Sequence, residues 1–408
     1  MAPLGPFGTA PLLAAGVSGG PHSLALALLA HEWTRARGGN LLALVAEHGL
    51  RAESAAEAGH VAAMLAGQGI ESHILPLNLP GGAALQERAR EARLQALLAA
   101  CAATGRPWLL LGQHRLDQVE TLLFRAGRGS GAAGLAAMAA LRPTPEALVL
   151  RPLLNVPPAR LEALLAARGL EPVRDPSNDN PRFARIRLRQ ALADPGGAGA
   201  GVAALAEAAR AFGTRRARQE AALAARLAAA ATLHTGSGHA EIDPVALGDD
   251  ALADAALARL LRLVAGAAHA PARAAVAALR QRGQGSLGGA VLRGGRRWLL
   301  LREPAAMAGP VAAEPGAVWD GRFRLEGPGA PGFMLGGLGE AAQGLRQGLC
   351  DAGKALPLAV LRTIPGIFQQ GSLAAVPALL YPTAEACTRF ALVFAPAAGA
   401  ATGQWSWS

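Results

Sequence analysis

Short apolar runs alternate with amphipathic stretches through the first part of the chain. Leu12–Val17, Leu41–Gly49, Ser72–Leu77 and Trp108–His114 are predicted as buried strands. Between them, Ser23–Arg35, Glu53–Gly67 and Leu85–Ala103 carry the spacing of helices. Strands separated by helices predict an α/β domain, a Rossmann-like doubly wound parallel sheet covered on both faces. Such sheets bind ligands at the carboxyl ends of their strands, where Ser18, Glu47 and His114 fall.

Beyond this region the pattern changes. "DPGGAGAG" (Asp194–Gly201) reads as a linker, followed by alanine- and arginine-rich helical sequence to Arg282. Glycine-punctuated short strands such as "GAVLRGGRRWLLLRE" and "AVWDGRFRLEG" come next. The expected division is a catalytic domain over 1–193, a helical, arginine-rich, RNA-contacting region over 194–290 and a small mixed α/β domain over 291–408.

Composition narrows the class. The chain has 408 residues, enough for two or three domains, and is 51% hydrophobic. Its net charge of +10 favours a polyanionic partner. Cys101, Cys350 and Cys387 form no CxxC pair, which argues against a zinc ribbon, an iron–sulfur cluster or a disulfide framework. There is no basic segment ahead of the first apolar run and no uninterrupted apolar stretch of membrane-spanning length. The expectation is a cytoplasmic protein with no membrane partner. The sequence leaves open whether it forms a homodimer.

The chemistry begins at Ser18-Gly19-Gly20-Pro21-His22-Ser23, a glycine turn between the first strand and the first helix. Small residues there let backbone N–H groups approach an anion at a helix start. A Walker loop is excluded, because it needs a lysine after its glycines and Lys354 is the chain's one lysine. Taken alone, the stretch could equally be an ordinary glycine turn.

Ser-Gly-Gly-x-x-Ser after a strand resembles the pyrophosphate-binding loop of the N-type ATP pyrophosphatases, the PP-loop superfamily. "EHGLRAESAAEA", "ARLQALLAACA", "GQHRLDQVETLLFRAGRGSGAAGLAAM", "RPLLNVP" and "DPSNDNPRFARIRLR" follow in one order. Together they resemble the tRNA(Ile)-lysidine synthase family over residues 12–190. "WDGRFRL" and "LPLAVLRTIPGIF" resemble its C-terminal domain less specifically.

The resemblance implies ATP-dependent ligation of L-lysine to C2 of the wobble cytidine of a tRNA(Ile) with a CAU anticodon, changing codon reading from AUG to AUA. ATP is the implied co-substrate, with Mg²⁺. The cytidine oxygen attacks the α-phosphate, and the lysine ε-amine then displaces AMP. That amine, with a reference pKa near 10.4, needs a group to position it and take its proton.

Within "HRLDQVET", Asp117 and Glu120 lie three apart and would share a helix face, with His114 just ahead. On their own they also read as a helix cap. The resemblance makes His114, Asp117, Glu120, Arg93 and Arg185 catalytic candidates and the loop Ser18–Ser23 the ATP site. Arg128, Arg182, Arg187 and Arg189 are candidates for tRNA phosphates. Asp117 and Glu47 are the candidate Mg²⁺ ligands.

Three acidic positions of the family pattern are altered. His22 stands in place of the loop aspartate, Glu47 in place of an aspartate, and Leu116 in place of the first aspartate of a pair. Imidazole suits softer metals than Mg²⁺, so His22 either weakens metal–pyrophosphate binding or contacts phosphate oxygens itself. The alternatives to an active ligase are a degenerate member that binds tRNA or nucleotide, and another PP-loop tRNA-modifying enzyme.

Overall fold

A computed structural model describes all residues except 48–53, 78–84, 174–183, 346–355 and 397–408. The "DPSNDNPRF" stretch and Arg182 fall outside the described residues. The chain divides into two compact units, Met1–Arg218 and a second beginning at Gln219.

The first unit is built on a six-stranded sheet. Its strands are β1 (Leu12–Val17), β2 (Asn40–Glu47), β3 (Glu71–Pro76), β4 (Trp108–Leu110), β5 (Leu141–Pro143) and β6 (Leu148–Leu150), ordered β3-β2-β1-β4-β6-β5. The ladders are parallel except for β5, which pairs antiparallel with β6 at the edge. The helices are α1 (Pro21–Arg35), α2 (Ser54–Gly67), α3 (Leu85–Ala103), α4 (Arg115–Ala126), α5 (Ala132–Leu135), α6 (Pro158–Ala167), α7 (Ala184–Leu192) and α8 (Ala200–Ala230). The division between the units falls within α8.

Strand alternation explains the two-sided cover. Leu13, Ala15, Val17, Leu41, Ala43 and Val45 point to one face, where they pack with Leu24 and Leu28 of α1, Val61 of α2 and Leu161 of α6. Ala14, Leu42 and Leu44 point to the other face, against Leu97, Leu98 and Cys101 of α3. A near-continuous apolar run is what a strand buried on both sides requires. Burial also pushes the Cys101 thiol up to about 11, so it stays an unreactive core group at neutral pH.

Two features of the sheet differ from the sequence expectation. The strand expected over Trp108–His114 stops at Leu110, because four residues on His114 already serves as the N-cap of α4. The short β5 and β6 were not anticipated. At three residues each, they are too brief to show a period.

The second unit holds three antiparallel sheets. The first is ordered β7-β8-β11-β10-β9, from β7 (Ala231–His234), β8 (His239–Ile242), β9 (Gly285–Leu287), β10 (Ala290–Arg293) and β11 (Trp298–Arg302). Past the single-turn α9 (Pro244–Leu247), it packs on α10 (Ala251–Ala265) and α11 (Arg273–Arg282) through Leu257, Leu261, Val276 and Leu279. The region 194–290 expected to be helical therefore also contributes strands, and a boundary at 290 would fall at the start of β10.

A four-stranded sheet is ordered β12 (Val311–Ala312), β15 (Phe333–Gly337), β16 (Pro365–Gln369), β17 (Ser372–Ala375). A three-stranded one is ordered β13 (Val318–Trp319), β14 (Phe323–Leu325), β18 (Leu392–Phe394). Asp320 binds both Arg302 and the fully buried Arg322, which ties β11 to the β13–β14 turn. Among the described residues no helix is long and apolar enough to cross a membrane.

Candidate active site

The loop after β1 is shaped by its own hydrogen bonds. Ser18 N–H donates to Ser23 Oγ at 3.1 Å, and the Ser23 hydroxyl donates to the Gly20 carbonyl at 3.0 Å. Gly20 is the N-cap of α1 and Pro21 its first residue, so the helix start loses no N–H it would otherwise have to satisfy. Gly19 sits at φ +78°, and a Cβ there would stand 2.5 Å from Val61 Cγ2. Conformation and space both demand glycine. Gly112 has a second reason: its Cβ would lie 3.1 Å from Ser23 Cα and 3.2 Å from the His22 carbonyl oxygen. The chain leaving β4 thus passes flush against the start of α1.

That approach brings α4 to the loop. The rings of His22 and His114 meet edge to face, 4.0 Å between centroids. His114 is 2% exposed. The Asp117 carboxylate accepts the His114 N–H at 3.0 Å, so the capping role and a site role coexist in one side chain. Asp117 also accepts from Arg189 Nη2 of α7 at 3.0 Å, and Arg189 Nε donates to Glu120 Oε1. One guanidinium therefore bridges both carboxylates. Glu120 is 1% exposed, and its Oε2 is buried with no hydrogen-bond partner among the described residues.

The charges follow from burial. Burial lowers the His114 pKa and takes His22 down to about 4, with the neighbouring His114 adding to the fall. Both imidazoles are neutral at pH 7, so His22 does not serve as a cation. Burial pushes the Glu120 carboxyl above its ordinary value, with Arg189 pulling the other way. On Arg189, burial lowers the pKa but the hydrogen bonds and charges of Glu120 and Asp117 outweigh it.

The other candidates sort by position. Arg93 lies one turn ahead of Leu97, whose side chain packs under Gly16 at the end of β1. This directs it toward the loop side of the sheet. Arg185 is exposed on α7, within electrostatic reach of Glu120 and of Arg90. Arg187 is exposed on the opposite side of that helix. Arg189 was expected among the tRNA-phosphate contacts. In the structure it is taken up by the two carboxylates, because i, i+4 spacing puts it on the face of α7 that carries Arg185.

Arg128 stacks on the Phe124 ring, 4.1 Å away, just past the end of α4. It follows Asp117 by roughly 16 Å of helix at 1.5 Å per residue, so it belongs to a surface away from the phosphate loop. Leu116 is buried against Val119 and Val202 rather than facing the site. Glu162 of α6 was not anticipated: its Oε1 stands 3.6 Å from His22 Nε2. It lies 140 residues from His22, on a helix whose Leu161 and Leu165 are buried, so no local signal marks it.

Residues 5–195 match the family model described as the PP-loop domain. A tRNA(Ile)-lysidine synthase from Ruegeria pomeroyi is 36% identical over 375 residues, covering 90% of this chain and 88% of that protein. The chain belongs to the tRNA(Ile)-lysidine synthase family. Another member, from Novosphingobium aromaticivorans, is 45% identical over 200 residues, 47% of this chain and 60% of its own length. A third, from Hyphomonas neptunium, is 45% identical over 43% of this chain and 49% of its own. The family's PP-loop domain thus coincides with the unit that holds the loop, α4 and α7.

Proposed function

We propose that this family member ligates L-lysine to C2 of the wobble cytidine of the CAU-anticodon tRNA(Ile), consuming ATP and releasing AMP and pyrophosphate. The buried Oε2 of Glu120 beside Asp117, unpartnered among the described residues, is the observation that carries the reading. An acceptor left open at 1% exposure costs free energy unless a donor arrives, and a substrate ammonium is such a donor.

In the first step the cytidine O2 attacks the α-phosphorus of ATP and the P–O bond to pyrophosphate breaks. The N-terminus of α1 and the Gly19–Gly20 backbone hold the phosphates, with Arg93 and Arg185 neutralising charge as it develops. In the second step the lysine ε-nitrogen attacks C2 and the C2–O bond to AMP breaks. Glu120 and Asp117 orient the amine. Neutral His114, whose Nδ1 is buried without a partner, is the group suited to take its proton.

Arg187, Arg128 and Arg182 are assigned to tRNA phosphates. The oxygen donors of Asp117 and Glu47 suit a hard cation and the two imidazoles do not. Those carboxylates would hold Mg²⁺, which would supply charge neutralisation to the pyrophosphate. A cytoplasmic location belongs to the same reading.

The test is incubation of the protein with ATP, labelled lysine and its own tRNA(Ile) transcript. Label in the tRNA, dependent on ATP and lost on changing the wobble cytidine, supports the ligase. AMP release without label transfer would replace it with an incomplete enzyme.

A further inference from the structure

We propose that the β7–β8 hairpin carries a binding site for a borderline divalent transition metal of the zinc class, held by His234, His239 and Glu241. The site lies in the second unit and uses no residue of the ligation chemistry above.

Strand pairing assembles it. His234 and His239 are directly opposed across the hairpin, and Glu241 follows His239 by two residues. The two-residue period of a strand therefore puts all three side chains on one face. One donor atom from each lies within 4.8 Å of the others. His234 Nε2 is 3.7 Å from Glu241 Oε1, and that nitrogen is buried with no hydrogen-bond partner.

His239 is the fixed ligand. It is 2% exposed, and Ser237 Oγ lies 2.7 Å from its Nδ1. A ligating histidine is commonly oriented in this way, one ring nitrogen engaged by a neighbour and the other left for the ion. The turn is held by Gly238 N–H donating to the His234 carbonyl at 2.7 Å.

Tetrahedral coordination with bonds of about 2.0–2.1 Å places ligand atoms roughly 3.3 Å apart. His234 and Glu241 are about 40% exposed on their side chains, so the closure needed is a rotation of two partly exposed groups. The two imidazoles stack at 4.3 Å with their planes 5° apart. Coordination turns the His234 ring out of that stack. Two nitrogens and one carboxylate oxygen, with no thiolate, suit zinc, nickel or copper and reject magnesium and calcium. Three protein ligands leave a fourth position for water.

Zinc chloride titrated calorimetrically into chelator-treated full-length protein is expected to bind saturably at one equivalent, undisturbed by excess magnesium. His234→Ala and Glu241→Gln are each expected to weaken binding about tenfold or more. Ser237→Ala keeps every ligand and frees only the anchor of His239. It is expected to weaken zinc by about tenfold too, which keeps the proposal testable if a ligand variant unfolds the hairpin. No saturable binding at one equivalent, or binding unchanged in all three variants, overturns the proposal.

Discussion

Replacing Arg189 by alanine strands the Glu120 carboxylate. At 1% exposure, Glu120 would have neither oxygen paired, while Asp117 would keep the His114 N–H. Removing one member of a buried pair costs about 3–5 kcal/mol, and Arg189 is 39% exposed, so we take the lower end, about 3 kcal/mol. For a unit of this size that lowers the midpoint of thermal unfolding by roughly 6–12 °C.

The loss has a pH signature. Burial already raises the Glu120 carboxyl above its ordinary value of 4.5, and loss of Arg189 removes the influence that lowers it. A folded-state pKa above the unfolded one means the folded chain binds the extra proton between the two values, so stability falls as pH rises through that window. The deficit of Arg189→Ala should be smallest near the unfolded value and grow as pH rises above it. Differential scanning calorimetry across that range measures it. Arg189→Ala/Glu120→Gln compared with Glu120→Gln is the control, because a neutral amide has no charge to strand and that difference should not vary with pH. An Arg189→Ala midpoint within about 2 °C of the parent, or a deficit that stays constant with pH, would refute the assignment.

Other substitutions test the remaining groups. Glu120→Gln should leave ATP binding intact and raise the KM for lysine with a loss in lysine transfer of about a hundredfold or more, read in the labelled-lysine assay; an unchanged KM for lysine counts against the amine-orienting role. Gly19→Ala forces a Cβ into Val61 at positive φ and should weaken ATP binding about tenfold, from roughly 1–2 kcal/mol of strain; calorimetric titration with ATP checks it. His22→Asp puts a carboxylate beside Glu162 and the triphosphate, so pyrophosphate release should slow at every Mg²⁺ concentration. A faster variant with a lower Mg²⁺ requirement would mean the loop lacks a metal ligand.

The sequence by itself determined the class of fold and the edge of the sheet on which the candidate site lies. Apolar runs long enough to be buried on both faces, alternating with helical spacing, force a parallel sheet. A glycine turn after its first strand can face only the carboxyl edge. Asp117 and Glu120 were legible for the same kind of reason, since their spacing is local and a helix fixes their relation.

Contacts between distant segments were decided by tertiary structure alone. Arg182, Arg185, Arg187 and Arg189 look alike in a row of alternating charges. The docking of α7 on α4 selects Arg189 for the two carboxylates and leaves Arg187 at the surface. Glu162 reaches His22 across 140 residues because α6 packs on the same sheet face as α1. The neutrality of His22 is likewise a property of its burial beside His114. Charge state in a folded protein depends on what surrounds a group in space, and a linear sequence does not specify that surrounding.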